Sequence, residues 1–307
     1  MSHKNKKRGR EVHGFLLLDK PVGISSNGIL QRIKKLYNAR KAGHTGSLDK
    51  MASGLLPVCF GEATKFSGYL LNADKQYKVT CKLGITTETG DATGKVQSER
   101  PVTGINRKKL ECVFAGFLGE ILQVPPMYSA LKHQGRRLYQ LAYQGITVER
   151  EARKIQIHNL ELLSFEDDQI EFEVSCSKGT YIRTLVEDIG KQLDCGAHVI
   201  VLRRTACGPF NENQMVTPDL LEHDADDGTI ALDRHLQDID SVLQDIATVE
   251  VVNSTATYIQ QGQAVMIPHA PTEGLVRIYT EDQHFLGIGE VLNDGRISPK
   301  RLVRSTQ

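Results

Sequence analysis

The chain has 307 residues, of which 40% are hydrophobic and 24% are charged, and its formal net charge is +1. These values lie within the globular range and allow one large domain plus a small one. No run approaches membrane-spanning length, and no apolar segment of a signal peptide follows the basic N-terminus, so we expect a cytoplasmic protein with no membrane contact.

The cysteines and histidines follow none of the common metal-site spacings. The six cysteines include no C-x-x-C pair, and the ten histidines include no H-E-x-x-H. We therefore expect reduced, mostly buried cysteines and no metal ion.

Charge is distributed unevenly along the chain. Acidic residues collect between Asp219 and Asp245. Basic clusters form solvated surfaces as readily as they bind a polyanion, so charge alone does not decide between these two roles. The basic clusters are the N-terminal residues 4–10, residues 107–109, residues 132–137, Arg203-Arg204 and residues 296–304.

The N-terminal third predicts a strand, a helix and a second strand. Residues 15–18 are continuously apolar, which is typical of a buried strand, and Ser25 or Ser26 can cap a helix that runs through Leu36. Residues 77–83 alternate apolar and polar side chains, which predicts a half-buried strand with Tyr77 on its inward side.

The middle of the chain predicts two helices and a hairpin. Asn106 can cap a helix whose apolar stripe over 110–117 belongs to the core. Residues 170–176 alternate as a strand does, and the acidic turn 166–168 pairs them with the preceding segment. The helix that follows the glycine turn 177–180 carries Tyr181 and Arg183 in its first turn, where side chains can point into a cleft.

The C-terminal part predicts short strands separated by turns, over 275–280, 285–292 and from 297 onward. This pattern indicates a small β-rich domain. We divide the chain into a basic arm (1–10), a main domain (11–246) and a C-terminal domain (247–307).

Asp49 lies in a turn punctuated by Gly43, Gly46 and Gly54 and followed by an apolar run. Glycines there let a ligand approach the backbone closely, so the turn is a candidate for chemistry. On these residues alone, an aspartate is more commonly a turn or cap residue.

Three short motifs offer other readings. Residues 47–50 fit the S-x-x-K of penicillin-recognising enzymes, but the companion motifs are misplaced or scrambled. Residues 43–46 fit the G-x-x-G of a KH module, whose loop joins two helices. Residues 90–95 resemble the end of a phosphate-binding loop, but the spacing is wrong, and we interpret them as a plain loop.

Several segments in order resemble the TruB-type tRNA pseudouridine synthases. They span roughly residues 15–205, and a chance match over that length is excluded for practical purposes. The matching segments are 16–26, 43–49, 75–79, 125–132, 177–185 and 196–204.

The resemblance implies an α+β fold with a mixed, mostly antiparallel sheet and flanking helices, plus a C-terminal domain similar to the PUA RNA-binding module. It also implies a cofactor-free reaction in which uridine-55 in the T-loop of tRNA is flipped out and isomerised to pseudouridine. The partner is tRNA, and no obligate protein partner is implied. The alternative is a non-catalytic RNA-binding protein that only clamps a T-loop-like hairpin.

The same resemblance assigns roles to individual residues. Asp49 resembles the catalytic aspartate and Arg183 its partner. Tyr77 resembles the tyrosine that stacks on the base and serves in proton removal, and His44 the side chain that fills the place of the flipped uridine. The other positions that match substrate-binding positions are Tyr181, Leu202 and Lys20, the last with Pro21 in a motif that supports the catalytic loop.

The chain departs from the family pattern beside the aspartate. Members usually read Leu-Asp-Pro, whereas this chain has Lys50 after Asp49, and Ser53 stands where the family usually has threonine. Lys50 removes a backbone restriction and adds a charge next to the candidate nucleophile. We expect activity to survive this change.

Overall fold

The structure is a computed structural model that describes residues 9–304, so most of the predicted basic arm (1–10) lies outside the described residues. Its strands are β1 (Gly14–Lys20), β2 (Ala42–His44), β3 (Ser53–Phe60), β4 (Lys75–Leu83), β5 (Ile85–Thr87), β6 (Val96–Glu99), β7 (Gly119–Gln123), β8 (Lys132–His133), β9 (Arg136–Arg137), β10 (Arg153–Glu166), β11 (Gln169–Cys176), β12 (Ala197–Cys207), β13 (Phe210–Asn211), β14 (Leu236–Gln237), β15 (Ala247–Val251), β16 (Leu275–Thr280), β17 (Phe285–Val291) and β18 (Ile297–Leu302). Its α-helices are α1 (Ser26–Leu36), α2 (Ser67–Asn72), α3 (Arg107–Ala115), α4 (Leu138–Ala142), α5 (Ile182–Gln192), α6 (Pro218–Asp226), α7 (Thr229–Asp233) and α8 (Asn253–Gln260), and 3-10 turns cover Gly61–Lys65, Glu212–Gln214 and Ile239–Val242.

The main sheet has the strand order β14-β1-β3-β12-β4-β11-β10-β7, with β2 added beside β3 and β13 beside β12. Among the strand pairs that the described residues form in this sheet, β3 and β12 run parallel and the others antiparallel. The expected mixed, mostly antiparallel sheet with flanking helices is confirmed.

The helices predicted from the sequence form with the caps expected of them. The Ser25 hydroxyl accepts a hydrogen bond from the Gly28 amide at the start of α1, and Asn106 accepts one from the Lys109 amide at the start of α3. Helix α3 ends before Phe117, which still packs against the core. The predicted apolar stripe therefore continues past the end of the helix.

Strand β1 is buried on both faces, which explains its unbroken apolar run. Leu16 and Leu18 lie in a large core with side chains of α1, α3 and α5. Phe15 and Leu17 point to the opposite face and pack in a second cluster with Phe66. The sheet is thus covered on both sides where β1, β3 and β12 lie.

The C-terminal residues form a separate four-stranded sheet in the order β15-β16-β17-β18, with α8 packed on it. This β-rich unit confirms the fold class expected for the end of the chain. It contacts the rest through the Phe66 and Phe285 rings, 5.7 Å apart, and the Arg277 Nε atom, which donates to the Ile246 carbonyl at 2.8 Å. The domain division at residue 247 stays a prediction.

Within residues 9–304, none of the helices is both long and apolar enough to span a bilayer.

Candidate active site

A cavity of about 740 Å³ opens beside the loop that joins β2 to β3. It brings together residues far apart in the chain, including five of the seven predicted site residues: Asp49, Tyr77, Tyr181, Arg183 and Leu202. His44 and Lys20 are not among the residues that line it. The volume lies in the range of small-molecule pockets and is sufficient for a nucleoside.

The loop that carries Asp49 is shaped by two glycines with left-handed backbone angles, Gly46 (φ +75°) and Gly54 (φ +98°). A Cβ atom at Gly54 would lie 2.3 Å from the Arg204 carbonyl oxygen. The position therefore requires glycine, because β3 and β12 approach each other closely where they pair in parallel. Backbone geometry thus explains Gly46 and Gly54, whereas Gly43 has neither a left-handed backbone angle nor a close neighbour.

Three contacts fix the loop to its neighbours. The buried Ser26 hydroxyl accepts from the Leu48 amide at 2.8 Å and donates to the Leu48 carbonyl at 2.9 Å. The Gly23 amide donates to the Lys50 carbonyl at 2.7 Å. The Arg204 guanidinium donates to the Gly46 carbonyl at 3.0 Å. The loop is held on both sides of Asp49 without the proline usual in the family.

Arg183 is the centre of the site. Its side chain is 6% exposed, and its Nε atom lies 3.0 Å from an Asp49 carboxylate oxygen. Its two terminal nitrogens donate to the carbonyls of Thr89 and Tyr128, each at 2.8 Å. These bonds fix the guanidinium, whereas the Asp49 side chain remains 47% exposed. One carboxylate is thus oriented by a buried cation and still open to a ligand.

Asp91 is a site residue that the sequence analysis missed. It is 4% exposed, and one of its carboxylate oxygens lies 3.8 Å from Arg183. Its other oxygen accepts from the Thr89 hydroxyl at 2.7 Å and the Thr93 amide at 2.9 Å. The loop predicted at 90–95 forms between β5 and β6, and it also places a second carboxylate beside Arg183. The threonines on either side of Asp91 were the available signal, because they can satisfy a buried carboxylate locally.

Tyr181 immediately precedes α5 and does not lie in its first turn as predicted, whereas Arg183 does. The backbone of Tyr181 is held by a residue of β7, at the edge of the main sheet. The buried Gln123 side chain accepts from the Tyr181 amide at 2.8 Å and donates to its carbonyl at 3.1 Å. Gln123 was also missed, since a single glutamine at the end of a strand has no distinguishing pattern. It fixes the entry to the helix that carries Arg183.

Comparison with known proteins places the chain in a family. Residues 34–182 match the family described as TruB family pseudouridylate synthase (N terminal domain). Residues 183–244 match tRNA pseudouridylate synthase B C-terminal domain, and residues 247–303 match Pseudouridine synthase II TruB, C-terminal. The chain is 52% identical over 305 residues to tRNA pseudouridine synthase B of Nitrosococcus oceani, covering 99% of both chains. The chain belongs to the TruB family.

A second relative agrees with this assignment, and one solved structure shares the fold. The tRNA pseudouridine synthase B of Ectopseudomonas mendocina is 55% identical over 295 residues, which cover 96% of each chain. A chain in the crystal structure of a Cbf5-Nop10-Gar1 complex superimposes with a TM-score of 0.71 at 27% identity, over 94% of this chain and 84% of that one. The similarity to TruB proteins extends over nearly the whole length.

Tyr77 and Arg204 lie opposite each other on β4 and β12. Arg204 is 1% exposed, and its Nε atom donates to the Leu55 carbonyl at 2.6 Å. Burial raises the pKa of the Tyr77 phenol, and the nearby Arg204 guanidinium opposes part of that rise. A raised pKa leaves less phenolate at neutral pH. The stacking role of Tyr77 and its role in proton removal both stay predictions.

Arg204 corrects one interpretation of the sequence. The pair Arg203-Arg204 was grouped with basic clusters that could meet a polyanion, but Arg204 is buried on backbone carbonyls. Arg203, on the other face of β12, forms a two-pronged pair with Asp19 at 3.0 and 2.9 Å. Both charges are already neutralised or bound inside the protein, so neither is free for a phosphate.

Lys20 lies beneath the loop. It is fully buried, and its ammonium donates to the carbonyls of Pro21 and Ile24, each at 2.8 Å. Burial lowers the pKa of Lys20 to about 8, while the Asp49 carboxylate raises it and Arg204 lowers it further. These contacts favour support of the loop, as the TruB motif suggests, and argue against the direct substrate contact also predicted for Lys20.

His44 ends β2 and is half-buried. Among the described residues, its Nδ1 atom is buried and has no hydrogen-bond partner. Burial lowers the pKa of His44, and the Arg204 charge lowers it further, so the ring is neutral at pH 7. A neutral ring suits a stacking role, which stays a prediction.

The KH interpretation of residues 43–46 is wrong. This segment contains the end of β2 and the start of the loop that leads to β3. A KH loop joins two helices.

Proposed function

We propose that this chain isomerises uridine-55 in the T-loop of tRNA to pseudouridine. The observation that carries the proposal is the half-exposed Asp49 carboxylate, held 3.0 Å from the buried Arg183 in a nucleoside-sized cavity. The chain's membership of the TruB family, with relatives named tRNA pseudouridine synthase B, supports the same conclusion.

In the proposed reaction the ionised Asp49 acts on the ribose of a flipped uridine, as a nucleophile or by supporting developing positive charge. The N1–C1′ bond breaks, the uracil turns over and C5 bonds to C1′. One proton then leaves C5 and one proton is taken up at N1. Because Arg183 donates to one Asp49 oxygen, the carboxylate is oriented before the substrate arrives. Atoms balance without a cofactor, since the product is an isomer of the substrate.

The walls of the cavity suit a flipped base. Tyr77 offers an aromatic ring, Leu202 is an apolar side chain, and Tyr181 combines a ring with a hydroxyl. Flipping costs a few kcal/mol, which such contacts can offset in part. We propose that His44, outside the cavity, stacks in the place that the uridine leaves.

The T-loop, the PUA-like role of the C-terminal sheet and the cytoplasmic location belong to this proposal. If residues 247–303 bind tRNA outside the T-arm, whole tRNA will be a better substrate than an isolated T-arm hairpin. Equal kcat/KM on the two substrates would argue against that contribution.

The proposal is tested by incubating the full chain with an unmodified tRNA transcript and mapping pseudouridine by carbodiimide-dependent primer extension. We expect one new stop, assigned to position 55, and none in a transcript with cytidine there. Binding of the transcript without conversion would instead support a non-catalytic RNA-binding protein. Conversion only at other positions would refute the T-loop assignment.

A further inference from the structure

The charges that line the cavity are unequally engaged. Among the residues that the structure describes, four cationic side chains border it: Lys50, Lys75, Arg183 and Arg204. The Lys75 ammonium donates to the carbonyls of Leu70, Leu71 and Ala73. Both arginines are also held by backbone carbonyls, and Arg183 is paired with Asp49 in addition. Three of the four cations are therefore already bound by other groups of the protein.

Lys50 is the exception. Its side chain is exposed, and within residues 9–304 its ammonium forms neither a hydrogen bond nor an ion pair. Its main chain is fixed, because the Lys50 carbonyl accepts from the Gly23 amide at 2.7 Å. A free ammonium on a flexible four-carbon stem thus begins at a fixed point beside the cavity.

The position of Lys50 relative to Asp49 suggests its ligand. Consecutive Cα atoms are about 3.8 Å apart, so the stem of Lys50 begins next to the carboxylate that acts on the ribose. A nucleotide whose C1′ atom reaches Asp49 carries a phosphate on each side of its ribose. Lysine binds phosphate as a point charge and needs no fixed geometry for it.

We propose that Lys50 binds a backbone phosphate adjacent to the flipped uridine. The proposal rests on the function proposed above and adds a binding contact to it. It also accounts for the lysine where TruB proteins usually have proline: the loop keeps its shape through Gly23 and Ser26, and the freed position supplies a cation.

The test compares initial rates of pseudouridine formation on an unmodified tRNA transcript at several KCl concentrations. The variants are K50Q, which removes the charge, K50R, which keeps it, and K35Q as the control. Lys35 is exposed on α1, does not border the cavity and forms no ion pair among the described residues. K35Q thus removes one positive charge, as K50Q does, but at a position away from the cavity.

We expect K50Q to raise KM about tenfold and to change kcat less than about twofold, since a lost charged hydrogen bond weakens binding without touching the chemistry. The slope of log(kcat/KM) against log[KCl] should become shallower by about 0.7, the value for one phosphate contact on a single strand. K50R should restore most of both effects, and K35Q should resemble the wild type.

Either of two results would overturn the proposal. One is a K50Q variant that matches K35Q in KM and salt slope. The other is a fall in kcat at unchanged KM, which would place Lys50 in the chemical step. If the wild type makes no pseudouridine, the proposed function fails and the Lys50 contact fails with it. If the wild type converts tRNA normally, the results for K50Q test the Lys50 contact alone.

Discussion

The cavity has a buried floor and an exposed rim that differ in how their charges are held. The floor consists of Asp91, Arg183 and Arg204, each of which is buried and bound by several groups of the protein. The rim carries Asp49, Lys50 and Tyr143, which are exposed and have few partners. Charges in the floor therefore maintain the geometry, while charges at the rim remain available to the substrate.

This difference predicts two kinds of variant. A change in the floor should lower both stability and turnover, because it leaves buried groups without partners. A change at the rim should affect turnover or RNA binding and leave the melting temperature in place. The predictions below test that division.

The largest combined effect is expected for Arg183→Ala. The change leaves the buried Asp91 carboxylate without its cation and Asp49 without its orienting partner. We expect about 3 to 5 kcal/mol lower unfolding free energy, and a fall in kcat of at least about a hundredfold. Urea unfolding and single-turnover rates measure the two. An unchanged unfolding free energy would show that Arg183 does not belong to the stabilising floor of the cavity.

The next effect is expected for Arg204→Met, with Arg203→Met as its control. Arg204 donates to the buried carbonyls of Leu55 and Gly46, whereas Arg203 forms a partly exposed pair with Asp19. Losing two buried donors should cost about 2 to 3 kcal/mol, and losing the Arg203 pair at most about 1 kcal/mol. Equal costs in urea unfolding would contradict the distinction between the two faces of β12.

A smaller effect, which shows only in the pH dependence of the melting temperature, is expected for Lys20. Its pKa of about 8 lies below the ordinary value of 10.5, so between these pH values the unfolded chain binds a proton that the folded chain does not. Stability from this group therefore rises as pH increases from about 8 to 10.5. The wild-type chain should gain melting temperature relative to Lys20→Met across that window. A constant difference would show that Lys20 does not titrate as described.

The smallest effect on the fold is expected for the hairpin of β8 and β9. Arg136 and Arg137 are exposed, and within residues 9–304 their side chains donate to neutral groups, the Gln144 side chain and the Ala130 carbonyl. If both cations bind RNA phosphates, replacing both with glutamine should make the salt dependence of tRNA binding shallower by about 0.7 to 0.9 for each contact. The melting temperature should not move. An unchanged salt slope would exclude the hairpin from the tRNA interface.

Local patterns were sufficient for much of the fold. Periodicity and caps predicted α1, α3 and α5, and alternation predicted β4 and β11, because each depends on residues within one segment. The meeting of Asp49 with Arg183 was different. It depends on the order of strands in the sheet, and only the resemblance to a family could suggest it from the sequence.

The errors arose where burial is decided by long-range packing. Arg204 looked like half of a basic cluster, yet β12 turns alternate side chains to opposite faces and buries Arg204 on the same side as Leu202. Asp91 lies in the predicted loop, but its contact with Arg183 was missed because Arg183 lies far along the chain. In both cases the sequence showed the residue type but not the groups that contact it in the folded protein.

The central claim concerns Asp49, and Asp49→Asn tests it most directly. The variant keeps the shape of the side chain and removes its charge, and Asp188→Asn, at an exposed ion pair with Lys191, serves as the control. Pseudouridine formation on unmodified tRNA is measured together with tRNA affinity and melting temperature. We expect no detectable conversion by Asp49→Asn, with affinity and melting temperature near the wild-type values. Appreciable conversion by this variant would contradict the account, because the carboxylate would then not be required for the chemistry.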